Sequence, residues 1–434
     1  MTSAPADTPR IDRRAATRSR WAATAAFFTN GALAAAMIPH YPQAKAAFGL
    51  DPAGFGLMVT GMSLGAACAG PAGAPILRRA GSRATVLWGS LAIAVVLTGA
   101  GLALDLGAPS GAAGPWLWAY AAAVFASGLC DAVVDTAQNA QGLRAQHALG
   151  RPVLTSMHAG WSLGAAVGAA LGAAAVGAGV SAGLHLGLNG AACVLLLALT
   201  LPRFLSDTPD HAPATDPLPA DHADARAAAS DAEPGPESEA TPASHRHPWL
   251  LLAPIVVISM AGFSVEEFGN SWTSLFLQAE RGLDPATAGL GASTLLGAQF
   301  LGRLAGDRVL AALGRTRALT GGLAVVLAGL TVTLLVPAPA AMFTGLALAG
   351  LGSAVVVPTA FALADEVPGL PAQTGLAVVS WLMRLAGLGL SPLVGLLAGV
   401  LPLTAALGAF VVLAALGTVL ALTLGAPRPA PDFR

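Results

Sequence analysis

Charge is scarce in this chain. Asp, Glu, Lys and Arg together make up 10% of its 434 residues, hydrophobic residues 55%, and mean hydropathy is +0.68. Soluble domains carry about 25% charged residues, so the composition excludes that class and points to a chain that crosses a bilayer many times. Lysine is almost missing: Lys45 is the single one among 22 basic residues. With aromatics at 6% and no basic patch interleaved with them, nothing suggests nucleic-acid binding. The three cysteines, Cys68, Cys130 and Cys193, fall in apolar runs and suggest neither a disulfide framework nor a thiolate metal site. No nucleophile–base pair, phosphate-binding glycine loop or metal-ligand spacing is present, so no enzyme, cofactor or metal is expected.

What is present is a series of apolar runs near the ~20 residues that a membrane helix needs. The first, Trp21 to Ile38, follows a polar tail, 1–20, that carries five arginines. It resembles a signal peptide, but its removal would leave eleven spans, so it is read as an uncleaved helix. Runs at 53–77, 84–104, 115–143, 153–176 and 182–202 complete six. Residues 205–247 then turn to Pro, Ala, Asp, Glu, Ser and His and cannot build a core. The four histidines there, His211, His222, His245 and His247, have no fixed geometry and read as part of a solvated linker. Six more runs follow at 249–277, 286–306, 318–336, 340–364, 373–397 and 403–425.

The two sets are related: Gly49-Leu-Asp-Pro-Ala-Gly-Phe-Gly-Leu57 matches Gly282-Leu-Asp-Pro-Ala-Thr-Ala-Gly-Leu290 at seven of nine positions. The same offset pairs Gly73 with Gly306 and Gly81 with Gly314. The expected architecture is an all-α membrane protein of twelve transmembrane helices in two six-helix repeats. It has a tail at 1–20, bundles at 21–204 and 248–425, a disordered linker at 205–247 and a second tail at 426–434. Placing the N-terminus in the cytoplasm leaves only Lys45 and Arg281 outside and Arg384 within a span, so both termini and the linker are expected to be cytoplasmic.

Polar chemistry concentrates in residues 128–142, where Asp131, Asp135, Asn139 and Gly142 recur at helical spacing with Gln138 beside them. A charge at the centre of a membrane helix costs about 2.5–3.5 kcal/mol on insertion scales, so acids there are functional candidates. At i and i+4 the two carboxyls should titrate jointly. His158 and Trp161, three apart, share a face and serve either a cavity or the packing between helices. Gly160, Gly164, Gly168 and Gly172 form a ridge for close helix approach. Gln299 and Asn189 are single polar groups expected to bond across helices.

Further motifs carry a resemblance. Gly302-Arg303-Leu-Ala-Gly306-Asp307-Arg308, followed by Gly314-Arg315, resembles the cytoplasmic signature of the major facilitator superfamily. The first-half copy has Ala74 where the repeat has Asp307. Asp135-Thr-Ala-Gln-Asn139-Ala-Gln-Gly142, the stretch Gly150 to Gly164 with His158 and Trp161, and Glu266 six residues before Trp272 are similar to a bacterial group near the fucose-permease-like sugar and small-solute transporters. This chain departs from that group at Glu267, where a glycine is usual, and at Arg384, where an aromatic is usual.

The resemblance implies a secondary active transporter of the bacterial inner membrane. It would move a small polar solute, sugar-like or an organic acid, by alternating access in proton symport. The lipid bilayer, protons and the solute would be its partners, and it would be a monomer. Proton coupling is expected at Asp135, Asp131 and Glu266, and solute contact at Asn139, Gln138, His158, Trp161, Glu267, Asn270 and Arg384. Gating is expected at Gly302, Arg303, Gly306, Asp307, Arg308 and Arg315. Trp272 reads as a cavity residue or an interfacial anchor. Efflux of amphipathic compounds and a non-transporting sensor are the competing functions. A guanidinium within a span needs a partner, so Arg384 is expected to pair with Glu267 or else to clamp an anionic solute.

Overall fold

In a bilayer each backbone N–H and C=O must be bonded internally, which apolar segments rich in Ala, Leu and Val achieve as helices. The computed structural model describes residues 13–50, 52–110, 113–206 and 248–425, and its regular elements there are all helical. Apart from Leu205 and Ser206, the 205–247 segment lies outside the described residues, as do the two tails as far as residues 12 and 426. The principal helices are α1 (Arg13–Ala36), α2 (Pro52–Ala69), α3 (Gly73–Ser110), α4 (Ala113–Leu149), α5 (Leu154–Gly177) and α6 (Ala182–Thr200). After the linker come α7 (Pro248–Glu267), α8 (Pro285–Leu313), α9 (Arg315–Leu335), α10 (Pro339–Ser353), α11 (Val356–Asp365), α12 (Thr374–Ala398) and α13 (Leu403–Gly425). Helix α7 passes through a π turn, Phe268–Trp272, into a last stretch, Thr273–Ala279.

Ten helical stretches among the described residues are long and apolar enough to cross a membrane. One of them, Thr60–Gly107, has 48 residues, or ~72 Å at ~1.5 Å per residue, more than twice the hydrocarbon thickness of ~30 Å. It turns at Gly81, whose φ of 76° and ψ of 163° lie where side chains are rarely tolerated. Gly314, 233 residues on, adopts φ 75° and ψ 165° before α9. Gly49 and Gly282, at the same offset, have φ of 60° and 67°. The sequence repeat is thus matched by a repeat of backbone conformation at its turns.

Helix α4, which carries the acidic stripe, packs against α2 and α3, α1 packs against α5, and α3 against α6. In the second set α9 packs against α10 and α13, α8 against α10, and α7 against α12 and α13. Contacts between the sets run from α8 and α11 to α5, and from α12 to α2 and α4. Helix α6 turns Leu184, Leu188, Leu195 and Leu199 outward, the face a lipid-contacting helix requires. Its first turn is capped by Asp105, whose carboxylate accepts from the backbone N–H groups of Ala182 and Gly183 at 2.9 and 2.8 Å.

Close approach fixes the depth of the acidic stripe. A Cβ at Gly128 would lie 1.9 Å from the Met62 carbonyl oxygen, and one at Gly65 would lie 2.0 Å from that of Phe125. Helices α2 and α4 therefore touch backbone to backbone, one turn before Asp131. Gly128→Val is expected to separate them and abolish recovery of monodisperse protein, read by fluorescence-detected size exclusion. Recovery equal to the parent would show that the contact can yield.

Candidate functional site

Asp131 and Asp135 sit one turn apart on α4, both facing Arg384 of α12. The Arg384 guanidinium donates through Nη1 to Asp131 Oδ2 at 3.2 Å and pairs through Nη2 with Asp135 Oδ2 at 3.1 Å. Ser380, one turn earlier on α12, donates to Asp135 Oδ2 at 3.2 Å. On the other side of the acids, the Asn30 amide of α1 donates to Asp131 Oδ1 at 2.9 Å, and its carbonyl accepts from the Trp161 indole N–H at 2.8 Å. Asn139 and Gln138 donate to Asp135 Oδ1 at 2.9 and 3.3 Å. The Asn139 carbonyl meets His158 Nε2 at 3.1 Å, and the His158 ring lies between Phe27 and Phe361. One connected network thus gathers Asp131, Asp135, Asn139, Gln138, His158, Trp161 and Arg384 from three helices, with Asn30 of a fourth linking Asp131 to Trp161.

This geometry corrects the expected Arg384–Glu267 pair. Glu267 is the last of the 20 residues of α7, whereas Arg384 is the eleventh of α12. The two helices run parallel, with Ser259 against Met383 and Glu267 against Ser391, so Glu267 lies about seven residues, or ~10 Å, beyond Arg384. Glu267 Oε1 instead accepts from Ser271 Oγ at 2.7 Å and from Ser391 Oγ, and Ser391 accepts from the Trp272 indole N–H at 3.0 Å. Trp272 is therefore tied to α12 rather than free as an interfacial anchor. Asn270, in the π turn, is exposed.

Arg303 also departs from the sequence reading, which took it as part of a cytoplasmic gating motif at the end of its helix. It is buried, pairs through Nη2 with Glu266 of α7, and donates through Nη1 to Ser162 Oγ of α5 at 2.8 Å. The next turn of the motif lies against the first turn of α5. A Cβ at Gly306 would meet Thr155 of α5 at 2.4 Å, and one at Gly302 would meet Ala354 at 2.7 Å. Asp307 Oδ1 accepts from the Ser156 backbone N–H in the first turn of α5 at 3.3 Å, and Oδ2 lies 4.0 Å from Arg20. Arg308 lines, with Arg20, Arg151 and Asp307, a cavity of about 170 Å³ at this end.

Arg315 pairs with Glu366 at 2.6 Å, and His147 of α4 approaches Glu366 at 3.7 Å. Burial pushes the Glu366 carboxyl up, but its bonds to His147 and Arg315 and their charges outweigh this and hold it below the usual range. The first-half copy of the motif, lacking the acid at Ala74, uses Arg78 instead, which donates to the Ala372 carbonyl and Thr374 Oγ1 at 3.3 and 3.1 Å.

Sequence reasoning missed Asn30, Ser162, Ser380, Glu366 and Arg20. Asn30 alone left a visible signal, as the one amide within the Trp21–Ile38 run.

Ionisable groups from both helix sets thus meet at this contact. Solved structures of the same fold include the transporter FucP in its outward conformation, at 14% identity with a TM-score of 0.68, over 95% of this chain and 100% of that one. A bacterial homologue of the iron transporter ferroportin, outward-facing, matches at 14% identity with a TM-score of 0.67, over 94% and 99%. An uncharacterized MFS-type transporter of Yersinia pestis is 28% identical over 355 residues, 82% of each chain. The profile of the Major Facilitator Superfamily matches residues 21–387, and the chain belongs to that superfamily of membrane transporters.

Proposed function

We propose that the protein is a secondary active transporter that moves a small polar solute across a bacterial cytoplasmic membrane by alternating access, coupled to protons. The reading includes twelve passes in two six-helix repeats, with both termini and the 205–247 linker cytoplasmic. Two features support twelve: the Thr60–Gly107 stretch is long enough for two passes about Gly81, and α8, at 29 residues, is long enough for one although it carries Arg303, Asp307 and Arg308. The conformation fits an outward-facing state, since the bonds between the sets lie at mid-depth and toward the end that carries Arg20, Arg78 and Arg315.

The observation that carries the reading is the bridge from Arg384 to Asp131 and Asp135. Two carboxylates one turn apart repel, and the guanidinium between them offsets that repulsion only while α4 and α12 are together. A proton on Asp135 weakens its hold on Arg384 and lets the sets part, so proton occupancy and the contact between the sets are linked. Asn139 and Gln138, bonded to the same acid, and His158, bonded to Asn139, would sense the solute beside it.

A thermal-shift screen of the purified protein across sugars, organic acids and amines identifies a binder by its mass-action stabilisation. Asp135→Asn is then expected to abolish accumulation of that solute driven by a pH gradient in proteoliposomes. Solute exchange should persist, because Asp131 still holds Arg384. Undiminished gradient-driven accumulation would remove Asp135 from the coupling.

A further inference from the structure

The Glu267 carboxylate stands apart from the other mid-membrane acids. Asp131 and Asp135 share Arg384, and Glu266 has Arg303, but the bonds to Glu267 come only from hydroxyls, those of Ser271 and Ser391, both on Oε1. Among the described residues its second oxygen accepts no hydrogen bond, and it is not one of the unpaired atoms sealed in the core. Glu266 and Glu267 are adjacent on α7, and among the described residues only Glu266 of the two pairs with a guanidinium, that of Arg303. In a medium of low dielectric that imbalance favours a cation. Arg384, with both terminal nitrogens on acids, is not poised to clamp an anion.

The position of Glu267 points inward. Ser380, Arg384 and Ser391 follow one another on α12 at spacings of four and seven, a single helical stripe. Its first two members face α4 across the contact between the sets, so Ser391 and the Glu267 bonded to it lie on the same interior side, ~10 Å further along the axis. Trp272 is held beside them by its indole N–H on Ser391. The π turn Phe268–Trp272 begins directly after Glu267 and brings Ser271 onto its carboxylate, and π turns occur frequently at functional sites. Exposed Asn270 adds a carboxamide acceptor in the same turn. A carboxylate with an open oxygen, hydroxyls that fix its other oxygen, and an adjacent indole are the elements that recognise an ammonium group.

We propose that Glu267, Ser391, Ser271 and Trp272 form a subsite for the ammonium group of a cationic solute, one and a half to two turns from the Arg384 bridge. The proposal rests on the reading of the chain as a solute transporter and narrows its substrate to amine-bearing molecules. It does not depend on proton coupling.

Three matched probes test it: 2-phenylethylamine, 2-phenylethanol and 3-phenylpropionate, at equal ionic strength, read as shifts in Tm of the purified protein in detergent with no gradient present. The amine is expected to raise Tm and the alcohol and acid to leave it unchanged. Glu267→Gln should weaken the amine Kd about tenfold or more, the loss of a charge-assisted bond. Ser391→Ala should weaken it less. If Glu267→Gln yields too little folded protein, Glu267→Asp and Ser391→Ala carry the test through a graded loss. No response to the amine, an equal response to the acid, or an amine Kd unchanged in the Glu267 and Ser391 variants would overturn the proposal. So would loss of proton-driven transport in Glu267→Gln with no amine binding in the parent, which would make Glu267 a proton carrier only. Retention of the amine shift with gradient-independent transport would instead sink the coupling scheme and leave the subsite standing.

Discussion

Replacing Arg384 by glutamine is expected to abolish transport and to lower the thermal stability of the protein in detergent more than any neutralisation of a single one of its acids. Removing one partner from a buried ion pair costs on the order of 3–5 kcal/mol, because the other partner is left charged and unpaired. Here two acids are left, one turn apart on α4, and their repulsion adds to the loss. The Arg384 side chain is 24% exposed and the two acids 11% and 14%, so some solvation moderates the effect toward the lower end of that range.

Asp131→Asn should be milder, since Asp135 keeps its bridge to Arg384. The triple variant Asp131→Asn, Asp135→Asn, Arg384→Gln should recover much of the stability without recovering transport, because it removes the charges together. The contact between the sets should loosen with it. A cysteine placed at Ser156, in a background lacking Cys68, Cys130 and Cys193, should react faster with a membrane-impermeant thiol reagent from the basic end in Arg384→Gln than in the parent. Additive losses across the triad, or unchanged labelling, would show that Arg384 holds nothing together.

The helices were legible because their lengths and apolarity follow from local chemistry. The run at 115–143 lies inside α4, and the acidic stripe lies on that helix as its spacing required. Breaks that depend on backbone conformation were partly legible. The offset that pairs Gly81 with Gly314 marked both turns, but the π turn at Phe268–Trp272 has no composition of its own and went unseen. Partners across the two sets were not legible. Arg384 is 253 residues from Asp131 in the chain, and nothing in either segment names the other. The expected partner Glu267 was chosen by depth within the second half, whose helix starts were read to within one residue, and it failed because the acids that meet Arg384 come from α4 of the first half. Arg315 opens α9 and Asp307 lies six residues before the end of α8, whereas Arg303 of the same motif is a turn deeper and has a different environment.

That difference makes Arg303 the site of the second large effect. Arg303→Gln is expected to leave Glu266 without a cation in the span and to cut the bond to Ser162 across the sets. The pair is well buried, with the arginine side chain 9% and the glutamate 23% exposed, so a loss on the order of 3–5 kcal/mol is again expected. Ser162→Ala separates the two contributions. It removes the bond across the sets but leaves the ion pair, and should cost only about 1–3 kcal/mol, because one guanidinium hydrogen then lacks an acceptor. Arg303→Lys keeps the charge but can reach only one partner well, since a lysine lacks the planar fork. It should fall between the other two. Glu266→Gln combined with Arg303→Gln should recover stability over Arg303→Gln alone. Thermal unfolding of the four variants decides the matter: if Arg303→Gln is no more harmful than Ser162→Ala, the Glu266 pair contributes nothing, and Arg303 acts only as a hydrogen-bond donor between α8 and α5.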